Sequence, residues 1–296
     1  MAGVVHAASE GKVDVPIWSN SDFPYQCLLD FKRTTTLQAA IHATVRKGDV
    51  VLDAGAGSGI LSFFAAQAGA SKVYAVEVDE HLADCLRRSV EHNGLSGTIE
   101  VIHGDAHSAR LPRAMDVFIC EMMDTGLMDE MQVTVINTLR QNGVLTARSR
   151  LIPFQYETFV EFGFTDFSYY GFKLLVPKHD WSHYAQGGSG WLSTAFHSHF
   201  EPYRTQLTDF QQPIEPEVDQ TFRLRASSSG LVNAVRISAR AHLTRGLVLG
   251  ATNALNGDKV IPLDREIRVE EGSVYQVRVS YRMGGGLNSL VVRIQE

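Results

Sequence analysis

The strongest constraint on the fold of this 296-residue chain is a strand-like run that ends in three glycines, Val51-Leu52-Asp53-Ala54-Gly55-Ala56-Gly57-Ser58-Gly59. Asp49 to Asp53 reads as a buried strand, and Leu61 to Ala68, just beyond the glycines, reads as a helix. Without Cβ atoms the chain turns sharply there. It then brings its backbone against a ligand at the carboxyl edge of a parallel sheet, where α/β folds bind nucleotides.

The alternation extends on both sides. Thr34 to Lys47 has helical spacing, Lys72 to Glu77 reads as a strand, His81 to His92 as a helix stopped by Asn93-Gly94, and Ile99 to His103 as a strand. Met115 to Cys120 is a further expected strand, Asp129 to Leu139 a helix and Gly143 to Ala147 a strand. Strands alternating with helices imply a Rossmann-like, mostly parallel sheet covered on both faces. After Pro153 the texture changes. Tyr156 to Phe164, Val218 to Leu224, Ala234 to Leu243, Ser273 to Tyr281 and Ser289 to Ile294 read as β segments of a second, antiparallel domain. The expected division is a flexible segment 1–21, a cofactor domain 22–152 and a β domain 153–296. Thr165 to Thr208, rich in aromatics, glycine and polar residues, is expected to be irregular or a short helical arm.

The glycine spacing is Gly-x-Gly-x-Gly, whereas dinucleotide enzymes favour Gly-x-Gly-x-x-Gly to seat a pyrophosphate. A nicotinamide enzyme is therefore the weaker reading. Glu77 closes the next strand and offers two oxygens to the hydroxyls of a ribose. Asp53 is placed to organise the loop and to meet a cationic part of the ligand. Asp105, Ala106 and His107 follow the third strand and are expected to pass an adenine, although an ordinary loop capped by Asp105 would read the same way. The cofactor expected is S-adenosyl-L-methionine, a nucleoside with a cationic centre and no phosphate.

Composition narrows the classes. A formal net charge of -6 disfavours gripping nucleic acid through its phosphates and suits a cationic partner, though it also serves plain solubility. Met1 to Asn20 lacks the pattern of a signal peptide, and no apolar run is long enough to span a bilayer, so a cytoplasmic location is expected. Cys27, Cys85 and Cys120 form no Cys-x-x-Cys pair, so neither a disulfide framework nor a structural zinc site is expected. His197 and His199 share one side of a strand but have no third ligand in view.

The segment Cys120-Glu121-Met122-Met123-Asp124-Thr125-Gly126-Leu127-Met128-Asp129-Glu130 leaves a core strand toward the same edge of the sheet. Read from spacing alone, Glu121 and Glu130 are either unrelated surface acids or two carboxylates converging on one cation, whose planar nitrogens match bidentate carboxylates. The segment resembles the double-glutamate loop of the protein arginine methyltransferases. In its Glu-x-x-Asp-Thr-x-Leu-x-x-Glu form it is similar to that of the monomethylating branch. Val51 to Gly69, Val90 to Asn93 and Leu231-Val232-Asn233-Ala234-Val235 also resemble segments of that family. The resemblance runs from about Arg33 to the end and is thin from Thr165 to Thr208.

That resemblance implies a Rossmann-like domain followed by an antiparallel β barrel, with Glu121 and Glu130 clamping a guanidinium while S-adenosylmethionine delivers its methyl. Arg33 matches the family arginine that holds the cofactor carboxylate. Residues Phe167 to Trp191 stand where the family carries a dimerisation arm, with Trp181, Tyr184 and Trp191 as docking aromatics, and a homodimer is implied. A satellite core is the other use for those aromatics. The family's Thr-His-Trp loop is not recognisable in Ala251 to Asp258, nor its Tyr-Phe-x-x-Tyr segment in Asp22 to Leu29. These departures touch the acceptor pocket and leave open a protein arginine, free arginine or another guanidino metabolite. A methyltransferase using another nucleophile on a small molecule or RNA, and a non-catalytic scaffold of the same fold, are the alternatives.

Overall fold

A computed structural model describes residues 22–112, 114–180 and 195–295. Its first half is a five-stranded parallel sheet: β1 (Val50–Ala54), β2 (Lys72–Glu77), β3 (Ile99–His103), β4 (Val117–Cys120) and β5 (Arg150–Ile152), in the order β3-β2-β1-β4-β5. Helices α1 (Phe23–Leu29), α2 (Phe31–Thr44), α3 (Ile60–Gln67), α4 (Glu80–His92) and α5 (Gln132–Gln141) accompany it. Strands β1 and β4 are buried almost throughout, which is why both read as continuous apolar runs rather than as alternating ones. The strand order reverses between β1 and β4, and the crevice at such a switch point is where α/β sheets place their ligands. Glycine loop and acidic loop leave the sheet at that point.

The second half is antiparallel. Strands β6 (Gln155–Thr165), β7 (Ser168–Tyr169), β8 (Phe172–Lys173), β9 (Lys178–Asp180), β10 (Phe196–Ser198), β11 (Tyr203–Asp209) and β12 (Glu217–Arg225) come first. They are followed by β13 (Gly230–Thr244), β14 (Leu247–Leu249), β15 (Asp258–Val269), β16 (Val274–Arg282) and β17 (Val291–Gln295). Seven of these form one sheet along β10-β6-β13-β15-β9, with β11 on β6 and β14 on β13, while β12-β16-β17 form another. Among the described residues no helix is long and apolar enough to cross a membrane.

Two expectations need correcting. The stretch Gly143 to Ala147 is not a strand. Val144 and Leu145 donate their amides to the Leu139 carbonyl and Gly143 takes φ +72°, so the segment closes α5 and the edge strand starts only at Arg150. The described part of Thr165 to Thr208 is not helical either. It forms the short strands β7 to β10 and most of β11; β7 and β8 pair with each other, β9 with β15, and β10 and β11 with β6. Trp181, Tyr184 and Trp191 lie outside the described residues.

Tyr156 of β6 joins the halves. Its ring is fully buried, and its hydroxyl lies 2.8 Å from the Asp124 carbonyl and 2.6 Å from Asn256 Oδ1, acceptors contributed by opposite halves of the chain. Tyr156→Phe removes the hydroxyl that bridges them and leaves a buried acceptor short of a donor, which is expected to cost about 1–3 kcal/mol of stability. A lower urea midpoint with an unchanged m-value would show it.

Candidate active site

Gly55, Gly57 and Gly59 all adopt the left-handed conformation, with φ of +74°, +54° and +81°. A Cβ on Gly59 would lie 2.1 Å from Leu86 Cδ1 of α4, and one on Gly55 would lie 2.8 Å from Met122 Cγ of the acidic loop. The tight turn and the close approach of neighbours both exclude a side chain here. The amides of Gly55 and Ala56 donate to the Val76 carbonyl, and that of Gly57 donates to Glu77 Oε2 at 2.7 Å. Glu77 is buried at the end of β2, and its Oε1 accepts from the Asp79 amide at 2.9 Å. Each carboxylate oxygen has two acceptor positions, so one on each remains for a ligand hydroxyl.

Asp53 lies at the same edge, buried, with Oδ2 accepting from Ser62 Oγ at 2.6 Å. Burial pushes its carboxyl up to about 6; the Ser62 bond opposes this, Glu77 adds to it and Arg33 opposes it. After β3, Ala106 is buried and His107 bridges two elements. Its Nδ1 lies 2.8 Å from Asp105 Oδ1 and its Nε2 3.0 Å from Thr134 Oγ1 of α5.

The acidic loop leaves β4 at Glu121 and reaches α5 just after Glu130. Glu121 is ion-paired with the buried guanidinium of Arg33, which the first turn of α2 carries inward. Asp30 caps that turn, accepting the Arg33 amide at 3.0 Å, and its second oxygen accepts the Ala254 amide at 2.8 Å. Arg33 keeps Nε and Nη1 buried and without a hydrogen-bond partner among the described residues. Two buried donors left over from an ion pair call for an anionic ligand.

Glu130 differs from Glu121. No described cation lies within ion-pair distance of it. Burial pushes its carboxyl up to about 7; Asp124 adds to this, Lys259 and Arg33 oppose it and Asp129 adds a little. Asp124 shapes the turn between the glutamates, accepting the amides of Asp129 and Glu130 on Oδ1 at 3.1 and 3.2 Å. Thr125 donates to the Gly257 carbonyl at 2.8 Å, and Lys259 Nζ reaches Asp124 and Asp129 at 2.5 and 2.6 Å.

The structure thus gathers Arg33, Asp53, Gly55, Gly57, Gly59, Glu77, Glu121 and Glu130 around the switch point, with Asp105, Ala106 and His107 on the loop after the neighbouring strand. Sequence reading missed Asp30, Tyr156 and Lys259. Asp30 had a local signal as a capping residue three positions before Arg33, whereas Lys259 acts across 135 residues and had none. Among the described residues no group of three or more His, Cys, Asp or Glu side chains is arranged to hold a metal ion.

The family model described as ribosomal protein L11 methyltransferase (PrmA) matches residues 32–182, just over half of the chain. The protein MJ1452 of Methanocaldococcus jannaschii is 30% identical over 283 residues, 96% of this chain and 98% of that protein. Histone-arginine methyltransferase CARMER of Culex quinquefasciatus is 48% identical over 103 residues, a match covering 34% of this chain but only 17% of the relative. Among solved structures, the Trypanosoma brucei PRMT1 enzyme–prozyme heterotetrameric complex with AdoHcy is similar with a TM-score of 0.71 at 21% identity, over 92% of this chain and 96% of that one. Protein arginine methyltransferase 10 of Arabidopsis thaliana gives a TM-score of 0.70 at 18% identity, over 91% and 96%. These last two likenesses establish a common fold.

Gly59→Ala strains the backbone and drives a methyl into Leu86. Calorimetry with S-adenosylmethionine is expected to show at least about a tenfold loss of affinity, corresponding to roughly 1.4 kcal/mol.

Proposed function

We propose that this chain, which belongs to the class I S-adenosylmethionine-dependent methyltransferases matched by that family model and is arginine methyltransferase-like, methylates a guanidinium nitrogen of arginine. The cofactor supplies an electrophilic methyl group on its sulfonium sulfur. The cofactor's own anchors are Glu77 for the ribose, the spare donors of Arg33 for its carboxylate, Asp53 for its ammonium side, and Asp105, Ala106 and His107 beside the adenine. Glycines 55, 57 and 59 let the backbone come close enough for these contacts.

A guanidinium is a poor nucleophile because its lone pairs are delocalised and its charge persists at neutral pH. Glu121, fixed by Arg33, and Glu130, left without a counter-ion, offer two differently prepared carboxylates to such a cation. Glu121 orients one nitrogen pair. Glu130 pairs with the acceptor as a carboxylate and, with its proton affinity raised to about 7, can accept on an Oε atom the proton that the methylated nitrogen sheds. Catalysis on this reading is positioning and local field more than base strength. The single observation that carries the proposal is Glu130, a half-buried carboxylate with no ion-pair partner among the described residues, nine positions along the same loop from a paired one.

Radiolabelled S-adenosylmethionine offered against free arginine, arginine peptides and total RNA tests the reading, with Glu121→Gln and Glu130→Gln as controls. Label is expected on a guanidino acceptor and lost in both variants; transfer to RNA that survives Glu121→Gln would point to another nucleophile. The peptide and free-acid arms separate a protein substrate from a metabolite.

A second copy of the chain is a natural partner. Tyr170, Phe172, Leu174, Leu175 and Val176 around the β7–β8 hairpin are exposed, as are Tyr25, Leu29 and Phe31 on α1 and α2. Apolar surface of this kind favours association of the arm with a partner's helices. A cytoplasmic home suits the three unpaired cysteines.

The pH dependence follows from Glu130. A carboxyl raised to about 7 is protonated below that value, so a guanidinium must displace its proton to bind. Acceptor affinity is expected to rise about tenfold per pH unit up to roughly 7 and to level off above it. Acceptor titrations from pH 5 to 9 check this, and Glu130→Gln should flatten the curve.

A further inference from the structure

The acidic loop carries Glu121, Asp124, Asp129 and Glu130 within ten residues, and a partly buried cluster of like charges does not hold a shape by itself. Arg33 answers one of them, Glu121. The other cation at the loop comes from the far half of the chain. Lys259 stands on β15, opposite Ile237 of β13 and His179 of β9, and only 4% of its side chain is exposed. An ammonium so buried is costly unless closely paired, and its Nζ meets Asp124 and Asp129 at 2.5 and 2.6 Å.

Those two acids are not bystanders. Asp124 uses its other oxygen to receive the amides of Asp129 and Glu130, so the direction in which Glu130 leaves the turn is set by the carboxylate that Lys259 holds. The same turn is moored to the β-rich half by Thr125 on the Gly257 carbonyl, by the Gly284 amide on the Leu127 carbonyl and by the Gly286 amide on the Met128 carbonyl. Those moorings are neutral. Lys259 alone brings charge.

We propose that Lys259 is a positioning residue for methyl transfer: by neutralising Asp124 and Asp129 from the β-rich half, it orients Glu130 and keeps it free to ionise against the acceptor. This deepens, and rests on, the reading of Glu130 as an acceptor-binding carboxylate. Charged or titratable groups face Glu130 from every element around it: Cys27 on α1, Arg33 on α2, Cys120 on β4, Tyr156 on β6, Asp124 and Asp129 on its own loop, and Lys259 on β15. Arg33 and Lys259 are the two that favour its charged form. Arg33 is committed to Glu121, so Lys259 is the one whose removal acts on Glu130 without disturbing the paired glutamate.

The experiment measures kcat/KM for the guanidino acceptor against pH in the full-length protein and in Lys259→Met, Lys259→Arg, Asp129→Asn and the Lys259→Met/Asp129→Asn pair. Cofactor affinity is followed separately by calorimetry. Lys259→Met is expected to move the pH midpoint up by about one unit and to raise acceptor KM about tenfold. Cofactor affinity should stay within about twofold. Lys259→Arg should recover most of the acceptor KM. Asp129→Asn, at a half-exposed position, is the variant that folds even if Lys259→Met does not. It should move the midpoint down, because it removes a negative neighbour and leaves Lys259 wholly to Asp124. Its effect should differ in the Lys259→Met background.

An unmoved midpoint in both Asp129→Asn and the Lys259 variants overturns the proposal, as do strictly additive effects or a parallel loss of cofactor and acceptor affinity. If Glu130→Gln itself keeps full activity, the reading underneath has failed. If Glu130→Gln is inactive while the other variants leave the profile alone, only the role of Lys259 has failed.

Discussion

A carboxylate taken out of water must find donors, and the chemistry at this sheet edge is organised by how each one finds them. Glu77 is satisfied by two backbone amides, one of them from the glycine turn itself, so the residue proposed for the ribose also pins the glycine loop. Asp53 takes a serine hydroxyl, Asp30 takes amides from both halves of the chain, and Glu121 takes a buried guanidinium. Glu130 takes none of these. The contrast between acids that are satisfied internally and one that is not sets Glu130 apart from its neighbours without appeal to any relative.

Much of this was legible from the residues. Strands Lys72–Glu77 and Ile99–His103 have the bounds that their apolar pattern suggested; the first is largely buried inside the parallel sheet, and the second is an edge strand that ends at a glycine turn. The glycine turn was legible too, since three left-handed positions in five residues admit little else. The β-rich half was less so. β15 contains Pro262 and the charged run Asp264-Arg265-Glu266, which breaks the alternation that reveals a strand, and its place is fixed instead by pairing with β13 and β9. The segment after Thr165 looked irregular because its strands are two or three residues long, too short to show a period.

The site shows the same division. Residues that act through their own loop, such as Asp53, Gly57 and Glu77, announce themselves in a local motif. Arg33 and Glu121 were each singled out, but as holders of different ligand groups, and their pairing with one another depends on α2 crossing the sheet edge. Contacts made between the halves, by Tyr156, Ala254 and Lys259, leave no trace in local spacing. The segment Ala251 to Asp258, where the family's Thr-His-Trp loop is not recognisable, nonetheless bonds to residues around the acidic loop through the Ala254 amide, the Asn256 side chain and the Gly257 carbonyl.

The bridge from Lys259 to Asp124 also limits how such a pocket can diverge. Replacing Lys259 alone leaves Asp124 without its cation, and replacing Asp124 alone leaves the buried ammonium only the half-exposed Asp129, so change at these two positions is costly unless it passes through a paired exchange or compensation elsewhere. A salt link between the two halves of the chain thus ties residues 124 and 259 to one another across 135 positions of sequence.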